Sequence, residues 1–126
     1  MRKNPNVELV GVFEPDPVRR RQVAEHDANY AGVHWFDSAE EMLNDPSIVA
    51  ITSEGLNAES LDQTEAIVDA GKHLIYDKPA GDNWSQWQRI IQKVEAKKLY
   101  LQMGYMFRYH RGFQQVMQWA KSGLLG

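Results

Sequence analysis

The sequence contains no cysteine, so it provides no disulfide framework, no thiolate nucleophile and no cysteine ligands for zinc. It also lacks long hydrophobic runs. No window approaches the roughly 18 uncharged residues of a membrane helix, and no apolar signal stretch follows Met1. Nucleic-acid binding domains carry a clustered basic excess, whereas the net charge here is −3. These absences predict a cytoplasmic protein that binds neither a membrane nor nucleic acid.

Motifs for metal binding and for nucleophilic catalysis are also absent. The four histidines show no i, i+4 pair and no other clustered ligand spacing, so the sequence predicts no metal site. No G-x-S-x-G elbow is present, which argues against nucleophilic catalysis by an activated serine. The chemistry of this protein is therefore sought in other polar residues.

Short apolar runs alternate with longer helical patterns along the 126 residues. The apolar runs predict strands at residues 7–13, 33–36, 47–52, 73–76 and 99–103. Two of them, at 47–52 and 73–76, have the pattern of strands buried on both faces. Because strands that alternate with helices form parallel sheets with right-handed crossovers, the sequence predicts one α/β domain over residues 1–126.

Capping residues and apolar stripes mark the predicted helices. Ser38 with Glu41 forms a capping box, and Asn57 is predicted to cap a helix that Gly71 ends in a left-handed conformation. A later helix is predicted to begin near Asp82 or Asn83. The residues expected to face the core are Val18 and Val23 in the first helix, Trp84, Trp87, Ile91 and Val94 in the fourth, and Phe113, Val116, Met117 and Ala120 in the last.

Polar residues follow most of the predicted strands. Ligands of open parallel sheets bind outside the carboxyl ends of the strands, so these positions are the candidate site. Such endings are also ordinary in soluble proteins, and the pattern alone leaves both interpretations open. The residues are Glu14 after the first strand, Asp37 after the second, Thr52 and Ser53 after the third, Asp77, Lys78 and Pro79 after the fourth, and Gly104 and Tyr105 after the fifth.

Glu14 is a candidate ligand for the adenosine ribose of a dinucleotide. A carboxylate at this strand end accepts hydrogen bonds from ribose hydroxyls and repels a 2′-phosphate, which favours NAD over NADP. Three nearby arginines at 19–21 provide a possible phosphate contact, although a helix face usually turns such residues to solvent. The alternative for Glu14 is an ordinary turn residue.

Asp77, Lys78 and Pro79 end the fourth strand abruptly. The Lys78 ammonium offers three donors that can hold a hydroxyl substrate or stabilise a developing alkoxide. Pro79 fixes its own φ and favours an extended Lys78, which aims the side chain. A simple turn with a weak Asp77–Lys78 surface pair is the alternative.

Three segments together resemble the glucose-fructose oxidoreductase / inositol dehydrogenase / rhizopine catabolism protein (Gfo/Idh/MocA) family. They are "VELVGVFEPDP", "AGKHLIYDKPAG" and "GYMFRYHRGFQQVMQWAKSGLLG", in this order and at these intervals. The resemblance covers nearly the whole chain. It implies a Rossmann-like, doubly wound parallel sheet and NAD(P)-dependent oxidation or reduction of sugar or polyol hydroxyls by hydride transfer.

The resemblance also implies roles for individual residues. Asp77, Lys78 and Pro79 match the family's acid–Lys–Pro signature, with Asp77 and Lys78 as catalytic residues and Lys78 contacting substrate and nicotinamide ribose. Glu14 matches the ribose-binding acid, and Arg108 matches a position beside the nicotinamide. Thr52 and Ser53 fall where cofactor contacts follow the third strand, although this chain reads "TSEGLNAE" where the family commonly has Thr-Pro-Asn and histidines. The implied cofactor is NAD rather than NADP.

One family feature is missing from these 126 residues: the first βα unit with its G-x-G-x-x-G turn. The second, α+β substrate domain is also absent. We therefore expect a partial nucleotide-binding domain that is not an active enzyme by itself. In the strand order 3-2-1-4-5-6 the missing strand is central, so we expect the sheet either to pair residues 7–13 with 47–52 or to take a strand in trans.

Two other functions remain open from the sequence. A non-catalytic binding or partner subunit is one, because Tyr105, Phe107 and Trp119 would form an exposed apolar surface that also favours a homo-oligomer. A phospho-receiver domain is the other, with Asp37 as the phosphate acceptor. Its spacing fits poorly, because Glu14 and Asp37 are too close by about one βα unit.

Overall fold

Five strands and five α-helices alternate along residues 4–126, the part of the chain that the computed structural model describes; residues 1–3 of the predicted domain lie outside it. This order confirms the predicted α/β class. The elements are β1 (Gly11–Val12), α1 (Pro17–His26), β2 (His34–Trp35), α2 (Ala39–Asn44), β3 (Ala50–Ser53), α3 (Ser60–Asp69), β4 (His73–Tyr76), α4 (Trp84–Ala96), β5 (Leu101–Met103) and α5 (Arg111–Lys121), with short 3-10 helices at Ala28–Tyr30 and Met106–Tyr109.

The strands form two parallel sheets, one of β1 and β2 and one in the order β3–β4–β5. The expectation that residues 7–13 pair with 47–52 is therefore wrong, because β1 pairs with β2 and β3 with β4. The first strand is also much shorter than predicted. A strand extends only where a neighbour supplies hydrogen bonds, and β2 offers β1 two residues, so β1 is limited to Gly11–Val12.

Side chains join the two sheets where backbone hydrogen bonds do not. Val10 and Phe13, which flank β1, pack against a buried cluster that includes Phe36, Ile51 and Tyr76. A second cluster holds α3 against α4; its buried members are Leu61, Val68, Ile90 and Val94. The core therefore lies mainly between the three-stranded sheet and these two helices.

The three-stranded sheet is buried on one face. Leu74 is 1% exposed, whereas the next residue, Ile75, points to the other face and is 42% exposed. Thr52, which is paired with Ile75 in β3, is exposed as well. The prediction that residues 47–52 and 73–76 are buried on both faces is therefore wrong. The physical reason is that α3 and α4 cover one face, and no element among residues 4–126 buries the other.

The predicted helix signals are largely confirmed. The Ser38 side chain accepts from the Glu41 N–H, although Glu41 bonds back to the Asp37 N–H instead of completing the capping box at Ser38. Asn83 caps α4, and Gly71 has a φ of +74° after α3. These signals are local, so the sequence is enough to locate them.

Four helix predictions are wrong. The stripe expected to face the core in α5 is exposed throughout, because no other element covers it within residues 4–126; it consists of Phe113, Val116, Met117 and Ala120. Asn57 does not cap α3, which begins at Ser60 without a side-chain cap. Val18 is 62% exposed, because α1 buries none of its residues. Trp84 is 69% exposed, because α4 packs on α3 through Ile90 and Val94, slightly rotated from the predicted stripe.

Candidate functional site

The carboxyl ends of β3, β4 and β5 meet at one edge. Asp77 N–H donates to the Ser53 carbonyl at 3.2 Å, and Gly104 N–H donates to the Tyr76 carbonyl at 2.7 Å. These bonds continue the parallel register one residue beyond each strand. We call this place the carboxyl edge, defined by Ser53, Asp77 and Gly104.

Gly104 allows the chain to pass close to the Asp77 carboxylate. A Cβ at residue 104 would lie 3.1 Å from Asp77 Oδ1 and 3.4 Å from the Tyr76 carbonyl oxygen. Asp77 itself is half-buried. The carboxylate is therefore packed against the end of β5, and glycine at 104 leaves the room it needs.

The chain leaves the carboxyl edge at Lys78 and Pro79, which are joined by a cis peptide bond. Lys78 is exposed and makes no ion pair or hydrogen bond within residues 4–126, so the weak Asp77–Lys78 surface pair does not form there. Thr52, one residue before Ser53, is exposed opposite Ile75. The edge therefore presents an ammonium and a hydroxyl to solvent beside a half-buried carboxylate.

Glu14 lies just after β1, in the other sheet. Its Oε1 accepts a hydrogen bond from Asp16 N–H at 3.0 Å, and its Oε2 lies 3.9 Å from Arg19 Nη1. One carboxylate oxygen is thus occupied by the local turn. The other faces a cation, so the side chain can accept from a ligand chiefly through Oε2.

The three neighbouring arginines have different surroundings. Arg20 binds Asp37 Oδ1 at 3.1 Å and the Trp35 carbonyl at 3.2 Å, and its guanidinium lies 5.9 Å from the Trp35 ring centre. It therefore fastens α1 to the end of β2 and is not free for a phosphate. Arg19 lies beside Glu14, and both Arg19 and Arg21 are exposed.

Arg108 lies in the 3-10 helix that follows the carboxyl edge. Its carbonyl accepts from Gln114 Nε2 at 3.1 Å, while its exposed guanidinium has no partner within residues 4–126. Residues 105–126 are exposed throughout and contact one another, as in the pair of rings Phe107 and Phe113 at 5.0 Å. We call residues 105–126 the terminal segment.

The structure thus brings together most of the predicted site residues at the carboxyl edge: Thr52, Ser53, Asp77, Lys78 and Pro79. It places Arg108 four residues beyond Gly104 and Glu14 at the end of the separate two-stranded sheet. Sequence reasoning missed Tyr76 and Ser60, whose buried hydroxyls are bonded to each other next to this edge. The available signal was a tyrosine in an apolar strand, since a buried phenol needs a hydrogen-bond partner.

A cavity of about 200 Å³ lies next to this corner. It is lined by residues 80–84 and Trp87. Within residues 4–126 no group of histidine and acidic side chains is arranged to hold a metal ion. No helix in the same residues has the length and apolar character needed to cross a membrane.

Comparison with known proteins places these observations in a family. Residues 1–105 match a family described as an oxidoreductase family with an NAD-binding Rossmann fold (Gfo/Idh/MocA). The chain is 26% identical over 121 residues to an inositol 2-dehydrogenase of Salmonella typhimurium, covering 95% of this chain and 35% of that protein. It is 22% identical over 120 residues to the rhizopine catabolism protein MocA of Rhizobium meliloti, covering 95% of this chain and 36% of that protein.

Solved structures share the fold at low sequence identity. A scyllo-inositol dehydrogenase of Lactobacillus casei superposes with a TM-score of 0.79 and 22% identity, over 97% of this chain and 36% of that one. A myo-inositol 2-dehydrogenase of Lactobacillus plantarum gives 0.80 and 19%, over 97% and 35%. The chain therefore spans about a third of the length of the proteins it matches, and these superpositions support the Rossmann-like fold.

Proposed function

Because the chain belongs to the Gfo/Idh/MocA oxidoreductase family, we propose that it is the nucleotide-binding part of a dehydrogenase. The reaction is hydride transfer between a nicotinamide cofactor and a hydroxyl of a small sugar or polyol, in keeping with the inositol dehydrogenases among its relatives. These 126 residues span about a third of those proteins and include no G-x-G-x-x-G motif. We therefore propose that they do not turn over substrate alone. We also propose that the protein acts in the cytoplasm.

The observation that carries this proposal is the carboxyl edge itself. In open α/β sheets, ligands bind outside the carboxyl ends of the strands. Here Ser53, Asp77 and Gly104 are aligned at that edge by backbone hydrogen bonds. The acid–Lys–Pro segment leaves the sheet at the same place, so its unpaired ammonium is available to a ligand above the edge.

The polar groups present suit the two ends of a dinucleotide. Lys78 offers donors for hydroxyls at the nicotinamide end, and Glu14 Oε2 is an acceptor suited to a ribose hydroxyl at the adenosine end. A bound nicotinamide supplies the hydride acceptor or donor.

Lys78 acts on the substrate hydroxyl. Its ammonium donates a hydrogen bond to the oxygen from which the carbonyl forms, and it stabilises the negative charge that develops there. Asp77 holds the corner against β5, because its N–H bonds to the Ser53 carbonyl and its carboxylate packs against Gly104. Pro79 limits the conformations of this corner.

We propose NAD as the cofactor, with Glu14 as the discriminating group. A 2′-phosphate at Glu14 Oε2 would meet a carboxylate, which disfavours NADP. Arg20 does not offset this repulsion, because Asp37 and the Trp35 carbonyl already occupy its guanidinium. We also propose that Arg108, whose guanidinium has no partner in the described chain, contacts the cofactor from the terminal segment.

The test is NAD binding by the 126-residue chain and its Lys78 variants, measured by calorimetric titration. We expect Lys78→Ala to weaken binding roughly ten- to a hundredfold, the effect of losing hydrogen bonds to a charged group. Lys78→Arg should recover part of the lost NAD affinity. The matched control is Lys121→Ala, because Lys121 is another exposed lysine and lies far along the sequence in α5. Equal NAD affinity of the Lys78→Ala and Lys121→Ala variants would contradict the proposal.

A second function, as a partner subunit, is supported by the terminal segment. Its aromatic and aliphatic side chains are exposed, including Phe113 at 52%, Met117 at 55% and Trp119 at 41%. Contiguous apolar surface of this kind marks interaction sites, and self-association through it gives a homo-oligomer. Light scattering on the wild type and on Met117→Ser tests this: we expect a mass above that of the monomer for the wild type, reduced by the substitution.

A further inference from the structure

A chain of buried hydroxyl groups connects β4 to the loop that follows β3, which consists of residues 54–59. The Tyr76 hydroxyl donates a hydrogen bond to Ser60 Oγ at 2.8 Å, and Ser60 Oγ donates to the Asn57 carbonyl at 2.8 Å. Tyr76 is 1% exposed and Ser60 5% exposed. Because both groups are shielded from water, each bond is costly to lose.

The two ends of this hydroxyl chain are close in sequence to the carboxyl edge. Tyr76 is the residue immediately before Asp77 and Lys78, and the loop begins immediately after Ser53. The Tyr76 ring is stacked on Trp87, with ring centres 5.8 Å apart and an interplanar angle of 27°. This stacking fixes the direction of the phenol, so the hydroxyl meets Ser60 in one geometry.

The loop has few other ties. All of residues 54–59 are exposed, and α3 begins without a side-chain cap. Ser53 Oγ approaches Gln63 Oε1 at 3.5 Å, which is long for a hydroxyl hydrogen bond. The Glu59 N–H bonds to the Leu56 carbonyl inside the loop itself. The hydroxyl chain is therefore the main buried link between this loop and the sheet.

We propose that Tyr76 is a positioning residue. Acting through Ser60, its hydroxyl fixes the position of the 54–59 loop relative to the Asp77–Lys78–Pro79 corner, so that the loop and the corner contact the same cofactor. This inference rests on the proposed function, because the relative position matters only if loop and corner share a ligand. Tyr76 itself is buried and does not touch the ligand. Its effect passes through the Ser60 hydroxyl to the Asn57 carbonyl.

The first experiment measures hydrogen exchange of the Glu59 amide in Tyr76→Phe and Ser60→Ala. Tyr76→Phe removes the bond between β4 and Ser60, and Ser60→Ala removes both bonds. Each breaks the link from the sheet to the loop and leaves the core shape nearly unchanged, so we expect exchange about tenfold faster at Glu59. The double variant should be no faster than the faster single one, because both break the same link. The matched control is Tyr100→Phe, which removes an exposed hydroxyl 3.4 Å from Gln102 Oε1.

Two exchange results would overturn the inference. One is a Glu59 amide that exchanges as slowly in Tyr76→Phe as in Tyr100→Phe. The other is an equal acceleration at the Leu74 amide, which bonds to the Tyr100 carbonyl inside the sheet, because this would make Tyr76 a residue of general stability.

NAD titration separates this inference from the proposed function. We expect wild type and Tyr100→Phe to bind NAD equally, and Tyr76→Phe to bind it about three- to tenfold more weakly. Equal binding by wild type and Tyr76→Phe contradicts the positioning role alone. No binding by the wild type contradicts the proposed function, and the positioning role falls with it.

Discussion

Residues 50–103 form a three-strand unit and residues 11–35 a two-strand unit, and the two differ in what they bury. In the three-strand unit β4 has a neighbour on each side, and Leu74 and Ile90 are at most 1% exposed. In the two-strand unit each strand is two residues long and α1 buries no residue. The same local βα pattern therefore buries its apolar side chains only where neighbouring strands and helices pack against it.

This difference divides the candidate site as well. Lys78 leaves a unit whose strand ends are held by the backbone bonds at Ser53 and Gly104. Glu14 follows a two-residue strand, and the polar ties of its unit are surface contacts such as the one between Arg20 and Asp37. The nicotinamide end of the proposed site is consequently the better organised of the two.

The largest effect should come from truncating the core of the three-strand unit. Ile90→Ala removes a fully buried side chain between α3 and α4, so we expect it to cost about 2–5 kcal/mol of the free energy of unfolding. Val18→Ala, in exposed α1, should change it by less than about 0.5 kcal/mol. Urea denaturation measures both, and similar costs would contradict the contrast between the units.

Two glycines with similar backbone angles sharpen the same contrast. Gly81 has a φ of +79° and Gly32 a φ of +70°, so alanine is strained at both. A Cβ at 81 would also lie 2.5 Å from Leu61 Cγ, whereas a Cβ at 32 would meet nothing within 4 Å. We expect Gly81→Ala to cost about 1–3 kcal/mol more than Gly32→Ala, because overpacking adds to the strain. Thermal unfolding of the two variants checks this. Equal costs would mean that the Leu61 side chain moves aside without loss of stability, which would contradict the overpacking.

Acid should weaken the three-strand unit through Glu65. Hydrogen bonds from Arg89 and Lys93 lower the pKa of Glu65 from its usual 4.5 to about 2. A depressed pKa means that this carboxylate stabilises the fold fully above pH 4.5 and loses that contribution as the pH falls toward 2.

Between about pH 6 and about pH 3, we therefore expect wild type to lose roughly 1–2 kcal/mol more than Glu65→Gln. The control is Asp37→Asn, which removes the exposed ion pair to Arg20 in the two-strand unit and should keep the loss that is due to Glu65. Urea midpoints at the two pH values decide the question. A Glu65→Gln variant with the wild-type pH dependence would contradict the claim that Glu65 causes this loss of stability in acid.

The smallest effect concerns Thr64 in α3, whose Oγ1 is buried without a hydrogen-bond partner in the described chain. Thr64→Val keeps the shape and removes the unsatisfied hydroxyl, so we expect a gain of up to about 1 kcal/mol. Thr52→Val, at an exposed position in β3, provides the matched control and should be neutral. Denaturant unfolding that finds Thr64→Val destabilised would mean that the hydroxyl is satisfied.

Local signals made much of the fold predictable. The cap at Ser38, the cap at Asn83 and the left-handed Gly71 depend on residues within a few positions, and each lies where the sequence predicts it. The strand at His73–Tyr76 also matches its apolar run. Parallel strand ends share an edge, so the position of Asp77, Lys78 and Pro79 followed from the strand order alone.

Long-range partners were less predictable. The pairing of β1 with β2 alone, the open face at Ile75 and the exposure of Trp84 depend on which other elements are present, and no local pattern encodes this. The Tyr76–Ser60 bond joins residues 16 positions apart, so the sequence offered a tyrosine without its partner. The roles of the site residues remain predictions that binding measurements test.

The most direct test of this account is a map of amide chemical shifts on the 126-residue chain as NAD is added. We predict that the largest changes occur at the carboxyl edge, at Ser53, Asp77, Lys78 and Gly104, with a smaller response at Glu14. Changes confined to the opposite ends of the strands, near His73 and Leu101, or no changes at saturating NAD, would contradict the central claim that this edge binds the cofactor.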